Sequence, residues 1–360
     1  MQYKRRAMLL ILFLVLVDIF VFEISPAQAE PYMAMRTGFK CSQCHVNQTG
    51  GGKRTEFGVI YSQTNLYMKR LQSANRPVFF DGMLSPTISI GANLRIDNIS
   101  LLAYQNSKGT KEKFSNNSRI PEANLYIQFA VVPDVLSIYA DQTLAPNPAN
   151  REFFGIIQNL PLNSYVKVGR MLLPYGLRLL DNEAFIRNET GFTYNKHDVG
   201  LELGLEPGPY SLIANLTQNQ LSAVGSVLFQ GFRIGGSFGR NTKTSNDYML
   251  GVFAGTNFGR FTFLGETDFI RQDDIWKLAG IAELNYLISR GFNFKTSYEF
   301  LDRNRDISYE RDGQERITLG VEPFITQFLQ IGIFYRINRF IPQNISLNQD
   351  QLIIQFHVFL

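Results

Sequence analysis

The only two cysteines of the chain stand three positions apart in Cys41-Ser42-Gln43-Cys44-His45, next to one of its three histidines. C-x-x-C-H is the attachment sequence of a c-type haem. Two thiols on one helical turn can each add to a vinyl group of the macrocycle, and the adjacent imidazole then reaches the iron from the proximal side. Cys41 and Cys44 are the expected covalent anchors of one haem c, and His45 the proximal ligand of its iron. Two other chemistries use part of the motif. A disulfide or redox-active C-x-x-C needs the thiols but not the histidine, and a structural zinc site needs a fourth ligand from far away.

The run Gly50-Gly51-Gly52-Lys53-Arg54 follows. It lacks the G-x-x-x-x-G-K-[ST] spacing of a phosphate loop, and no strand precedes it. Glycine permits a sharp turn or a close pass of the backbone by the porphyrin; a plain flexible linker fits equally well.

Other elements must position this motif. Lys4, Arg5 and Arg6 precede an apolar run from Ala7 to about Ile24 and then Ala27-Gln28-Ala29, the pattern of a cleaved signal peptide over residues 1–29. An uncleaved anchor is the competing reading of that run. Beyond Ala29 no stretch approaches the roughly 18 apolar residues of a spanning helix. The 30 Phe, 16 Tyr and 29 Gly against a single Trp suit short alternating strands. A formal charge of +4 over 360 residues is too small to argue for a nucleic-acid partner.

From Pro86 onward apolar and polar residues alternate. Ile88, Ile90, Ala92, Leu94 and Ile96 oppose Thr87, Ser89, Gly91, Asn93 and Arg95, and Phe261, Phe263 and Phe269 oppose Thr262, Glu266 and Asp268. One dry and one wet face is the habit of an antiparallel sheet. The runs and their breaks give about sixteen strands, mostly of about 9 to 14 residues, joined by alternately short and longer connections, as in an outer-membrane barrel. The longer connections are expected at 106–119, 144–151, 175–196, 241–246, 302–314 and 340–348. The end of the chain, with Leu352, Ile354, Phe356, Val358 and Leu360 on one face, resembles the terminal strand of bacterial outer-membrane proteins, with Phe359 penultimate here. A periplasmic β-sandwich would have to tolerate too many charges on the polar faces.

The expected fold is therefore all-β: a transmembrane antiparallel barrel of about 16 strands over 81–360, in outer-membrane lipid, preceded by a short, partly helical haem segment over 30–80. The inward face carries Arg95, Lys167, Glu266, Asp268, Lys277, Glu283, Lys295, Glu299, Arg316, Glu322 and Arg336, mixed signs that suggest ion pairs and a hydrated interior. About fifty residues are too few to wrap a haem alone, so the segment is expected to plug or dock on the barrel. Candidates for the distal iron ligand are Met68, across a helix expected from Phe57 to Leu71; Met35, close to the motif; and His357, which faces inward on the last strand.

The chain resembles the fused monohaem cytochrome-porins of the outer-membrane ferrous iron oxidase type. The residues that carry the likeness are Arg36-Thr37-Gly38, Cys41, Cys44 and His45; the barrel likeness is generic. The resemblance implies electron transfer across the outer membrane, with extracellular Fe(II) as donor and a periplasmic c-type cytochrome or other carrier as acceptor. The residues equally allow flow to an external acceptor. Two other functions compete: an outer-membrane diffusion channel gated or sensed by its haem segment, and a haem enzyme with an open coordination position.

Overall fold

The computed structural model describes residues 31–73, 76–105, 110–229, 231–244, 247–341 and 348–360. The expected signal peptide lies outside the described residues. Sixteen antiparallel strands follow one another round a closed barrel. The first eight are β1 (Ile88–Gln105), β2 (Thr110–Val132), β3 (Leu136–Ala145), β4 (Ala149–Leu160), β5 (Ser164–Leu172), β6 (His197–Leu205), β7 (Tyr210–Thr217) and β8 (Gln220–Phe229). The others are β9 (Phe232–Asn241), β10 (Tyr248–Phe258), β11 (Phe261–Gln272), β12 (Ile275–Ser289), β13 (Phe292–Asp302), β14 (Gln314–Thr326), β15 (Leu329–Phe340) and β16 (Gln349–Phe359). β16 closes on β1, from Gln349 opposite Ala103 to Phe359 opposite Asn93, so no long edge is left unpaired.

The two faces are inverted relative to a soluble protein. On β2, Leu125, Ile127 and Phe129 are exposed while Glu122, Asn124 and Tyr126 are buried. On β11, Phe261, Phe263 and Phe269 point out while Thr262, Glu266 and Asp268 are buried. An apolar outer belt round a polar interior suits hydrocarbon outside. Among the described residues no helix is long and apolar enough to cross a membrane; the strands supply the wall.

One rim carries tight turns, such as those between β2 and β3, β10 and β11, β12 and β13, and β14 and β15. The other carries longer connections, including 173–196 and 303–313. The long connection expected over 106–119 is shorter than its sequence suggested: β1 runs on to Gln105 and β2 begins at Thr110. Polar residues such as Asn116, Ser118 and Asn98 prolong the ladder, with Asn98 donating to Ser118 at 2.9 Å.

Two segments fold into the interior. From the short-turn rim enters a plug with three helices, α1 (Pro31–Thr37), α2 (Cys41–Cys44) and α3 (Glu56–Asn65). From the other side comes the 173–196 connection, which carries α4 (Phe185–Thr190) and folds inward against β11, β12 and β13. Tyr32, Met33 and Met35 of the plug and Leu177, Phe185 and Ile186 of that loop share one buried apolar cluster with Ile213, Phe253 and Leu264 of the wall.

The interior charges are paired, as their mixed signs suggested. Lys167 lies 2.5 Å from Glu202, Arg95 3.4 Å from Glu122, Lys295 3.2 Å from Glu283, Lys277 3.0 Å from Glu189 and Arg316 2.7 Å from Glu299. Arg187 of α4 meets Glu266, and Arg336 meets Asp181. Asp268 accepts from the Tyr175 hydroxyl at 2.9 Å, and Glu322 faces the Tyr32 hydroxyl at 3.4 Å.

Candidate functional site

Local hydrogen bonds give the Cys-x-x-Cys-His turn its shape. Gly38, at φ 70°, ends α1 and donates to the Ala34 carbonyl at 2.9 Å. α2 is a single turn, closed by the His45 N–H donating to the Cys41 carbonyl at 2.9 Å. Thr55 ties α3 to it: the hydroxyl caps the Gly58 N–H at 3.1 Å and donates to the Gln43 carbonyl at 2.7 Å. A Cβ on Gly58 would lie 2.2 Å from the Cys44 carbonyl oxygen, so only glycine lets α3 pack this closely on α2.

The glycine run is a built turn, not a loose linker. Gly50, Gly51 and Gly52 hold φ values of 91°, 80° and 65°, all in the left-handed region that other residues rarely adopt. A Cβ on Gly52 would sit 2.6 Å from the Tyr139 hydroxyl of the wall. The turn brings Arg54 back beside His45 as an antiparallel bridge, with Val46 N–H donating to the Lys53 carbonyl at 3.0 Å.

Cys41 and Cys44 are free, half-buried thiols. Burial, and then Cys41, push the Cys44 thiol up to about 11. His45 is 5% exposed, and neither ring nitrogen makes a hydrogen bond; the backbone of Gly51 and Gly52 approaches the ring without closing one of good geometry. Burial and the neighbouring Arg54 charge push its pKa down to about 3, leaving the neutral imidazole that ligates metals. A buried imidazole with no partner costs about 1–3 kcal/mol. A bond from one ring nitrogen to a metal would relieve that cost.

These three residues line one cleft with Met33, Phe39, Tyr61, Tyr175, Leu177 and Arg178. The cleft's lining combines apolar side chains with Lys40, Arg54, Arg178 and Arg233, a chemistry that suits a flat, carboxylate-bearing macrocycle. The thiols and the unsatisfied imidazole thus fit a c-type haem. Among the described residues no three His, Cys, Asp or Glu groups are arranged to hold a bare metal ion, so the zinc alternative gains no fourth ligand.

The distal candidates fall in three different places. Met68 is 48% exposed at the short-turn rim, where its N–H donates to the Phe324 carbonyl at 2.8 Å. The helix expected to carry it stops at Asn65, because from Met68 the backbone bonds to β14 instead of to its own preceding turn. Met35 is fully buried against β10, its sulfur filling the space left by Gly255. His357 lies beside a smaller cavity that it shares with His45, Arg54 and Tyr194. Both of its ring nitrogens are engaged, Nδ1 with Gln330 at 2.9 Å and Nε2 with Asn93 at 2.6 Å. None of the three lines the main cleft; Met33, 1% exposed, does.

Sequence reasoning missed the contribution of the inward loop. Its Arg178 donates to the Thr49 hydroxyl of the plug at 3.0 Å, and its Tyr194 ring lies under the guanidinium groups of Arg151 and Arg178, each 5.6 Å from its centre. A chamber of about 1720 Å³, open solvent included, lies between this loop and the wall, reaches Pro146 at the long-loop rim and is bordered by Asp97, Arg119, Asp181 and Glu183. Tyr194 borders both this chamber and the cysteine cleft.

No family model and no curated protein matches the chain. Solved structures do. OmpT of Vibrio cholerae, in its in-vitro folded trimer form, aligns at 11% identity over 76% of this chain and 99% of that one, with a TM-score of 0.58. The anion-selective porin of Comamonas acidovorans aligns at 9% identity over 76% and 99% of the two chains, with a TM-score of 0.58. The outer membrane channel DcaP of Acinetobacter baumannii aligns at 10% identity over 76% and 97%, with a TM-score of 0.54. The fold is porin-like. At these identities the likeness is one of fold alone, and the matched share is about that of the segment from Ile88 onward.

Proposed function

We propose that this porin-like barrel is an outer-membrane electron conduit, belonging with the fused monohaem cytochrome-porins, which holds one c-type haem on Cys41, Cys44 and His45 inside its lumen. The carrying observation is the pairing of free thiols with a buried imidazole that has no hydrogen-bond partner, all on a plug fixed inside the barrel. Once bound, the haem supplies a reversible one-electron Fe(III)/Fe(II) couple.

The chain's own residues do the rest. Asn47 donates to Glu152 at 2.7 Å and Arg36 to Asn293 at 2.9 Å, which hold the plug at a fixed depth. Short turns face the periplasm in barrels of this kind, so the Cys-x-x-Cys turn, with Ser42 bonded to Glu206 at 2.6 Å and Lys40 to the Tyr210 carbonyl at 2.6 Å, lies within reach of a periplasmic cytochrome. On the other side Tyr194 forms the shared wall between the cleft and the chamber. A donor in that chamber, Fe(II) in this reading, is separated from the cleft by that wall and not by the full membrane thickness.

The test begins with the full chain expressed in cells that mature c-type cytochromes. A haem-stained denaturing gel and a pyridine haemochrome spectrum should show one covalent haem, lost in Cys41→Ala and reduced in Cys44→Ala. An intact barrel without covalent haem would reject the reading. Stopped-flow reduction by Fe(II) on intact cells then tests the donor, and failure there removes iron but keeps electron transfer. Met33→Leu and Met68→Leu separate the distal candidates: the reduced spectrum should change in the first and stay unchanged in the second. Large steady conductance by the haem-loaded protein would favour the diffusion channel instead.

A further inference from the structure

Most cations of the lumen wall are paired with carboxylates. Lys167, Arg95, Lys295, Lys277, Arg316, Arg187 and Arg336 each meet a carboxylate. Among the described residues Arg36, Lys53, Arg54 and Arg178 meet none, and of these four only Arg54 and Arg178 line the cleft of Cys41, Cys44 and His45. Among the described residues, no carboxylate lies within ion-pair distance of either guanidinium.

Neither group is spent on neutral partners. The Arg54 guanidinium makes no side-chain hydrogen bond among the described residues; it lies 4.4 Å over the Phe359 ring, which holds it in place and leaves its N–H groups free. Arg178 donates to the Tyr194 and Leu173 carbonyls and to the Thr49 hydroxyl, at 3.1, 3.2 and 3.0 Å. A guanidinium carries five N–H groups, so Arg178 keeps donors to spare. Both side chains line the cleft that holds Cys41, Cys44 and His45.

The two other cations of the cleft, Lys40 and Arg233, also bond to neutral acceptors. Lys40 donates to the Glu206 and Tyr210 carbonyls at 2.9 and 2.6 Å, and Arg233 to the Ser226 hydroxyl at 3.2 and 3.1 Å. Glu206 is the one carboxylate among the described residues of the lining, and it accepts from Ser42 and Ser211 at the far side. The cleft therefore has a surplus of positive charge, of which Arg54 and Arg178 are the part that acts on His45.

We infer that Arg54 and Arg178 form an anion subsite that receives the carboxylate side chains of a tetrapyrrole seated in the cleft. The inference rests on the haem reading and deepens it. A c-type haem keeps its propionates after its vinyl groups have reacted with the cysteines, and burying those anions is costly without cationic partners. The planar guanidinium fork matches a carboxylate in two parallel hydrogen bonds. The subsite also explains why the glycine turn returns the chain to His45: it delivers Arg54 beside the proximal histidine.

The experiment uses the full chain, haem-loaded and purified, with Arg54→Gln, Arg178→Gln and the charge-keeping Arg178→Lys. Covalent haem content is read first by the pyridine haemochrome spectrum, and a parent protein without haem rejects the haem reading itself. With haem present, each glutamine variant should lower the midpoint potential in redox titration, because removing a cation beside the carboxylates disfavours the added electron. Redox-difference infrared spectra should show the propionate carboxylate bands shifted in both glutamine variants, and Arg178→Lys should recover the parent potential. Glutamine variants that carry full haem, with parent potential and parent carboxylate bands, would overturn the subsite and leave the haem reading standing.

Discussion

Gly51 packs against Tyr194 so closely that a Cβ at Gly51 would lie 2.6 Å from the tyrosine hydroxyl. This contact joins the plug, which enters from the short-turn rim, to the loop that enters from the opposite one. Gly51→Ala is expected to strain the turn twice, through the clash and through φ 80°, at a cost of about 1–3 kcal/mol. The cost falls on plug docking and not on barrel closure. Conductance in planar bilayers should show frequent opening events absent from the parent, while heat-modifiable migration on gels stays that of a folded barrel. Parent-like closure in the variant would mean that the loop, not the plug, seals the lumen.

The loop has its own anchor. Arg187 pairs with Glu266, which also accepts the Leu177 N–H at 2.7 Å, and both side chains are buried. Removing one partner leaves a buried charge and costs about 3–5 kcal/mol. Arg187→Met should therefore release the loop, seen as faster hydrogen exchange over 173–196. Arg187→Met with Glu266→Gln should restore most of the protection, since the remaining amide still accepts from Leu177.

Much of this architecture was legible in the sequence, and the failures have definite causes. Strand parity placed Glu266 inside and Phe263 outside, because a strand has period two and the apolar parity is the one a barrel of this kind turns outward. The inward course of 173–196 was not legible from turn signals, although Leu173, Tyr175, Leu177 and Leu179, all buried, gave an apolar alternation out of place in a solvated loop. The Cys-x-x-Cys-His turn stood out as a motif. Its glycines acquired a role only when Tyr139 and Tyr194 were seen to press on them, contacts that span more than eighty residues of sequence. Nothing in the sequence sets Arg54 and Arg178 apart from the other lumen cations; their place on the cysteine cleft does.

The outer belt gives a prediction independent of any cofactor. Ile127 is 47% exposed on β2, opposite Ala140 in the middle of β3, and Leu162 is 67% exposed in a short-turn connection. Ile127→Arg should destabilise folding into lipid vesicles by about 2–4 kcal/mol, whereas Leu162→Arg near the interface should cost about 0–1 kcal/mol. Urea midpoints of tryptophan fluorescence in vesicles check the difference. Equal tolerance at both positions would deny that the belt faces hydrocarbon.

Lys53 makes docking of the plug sensitive to alkaline pH. It is 5% exposed, its ammonium donates to the Arg54 carbonyl at 3.0 Å, and burial pushes its pKa down to about 8 from an ordinary 10.5. Undocked and solvated, the side chain regains the ordinary value and so binds more protons between about pH 8 and 10.5. Docking therefore gains stability as pH rises through that window, and below pH 8 the full desolvation cost of the charge is present. Protease cleavage within residues 31–71 should slow from pH 7.5 to 9.5 in the parent. In Lys53→Met it should already be slow at pH 7.5, with the rise in protection abolished. A parent that loses protection on the same change of pH would show that another group, and not Lys53, controls the plug.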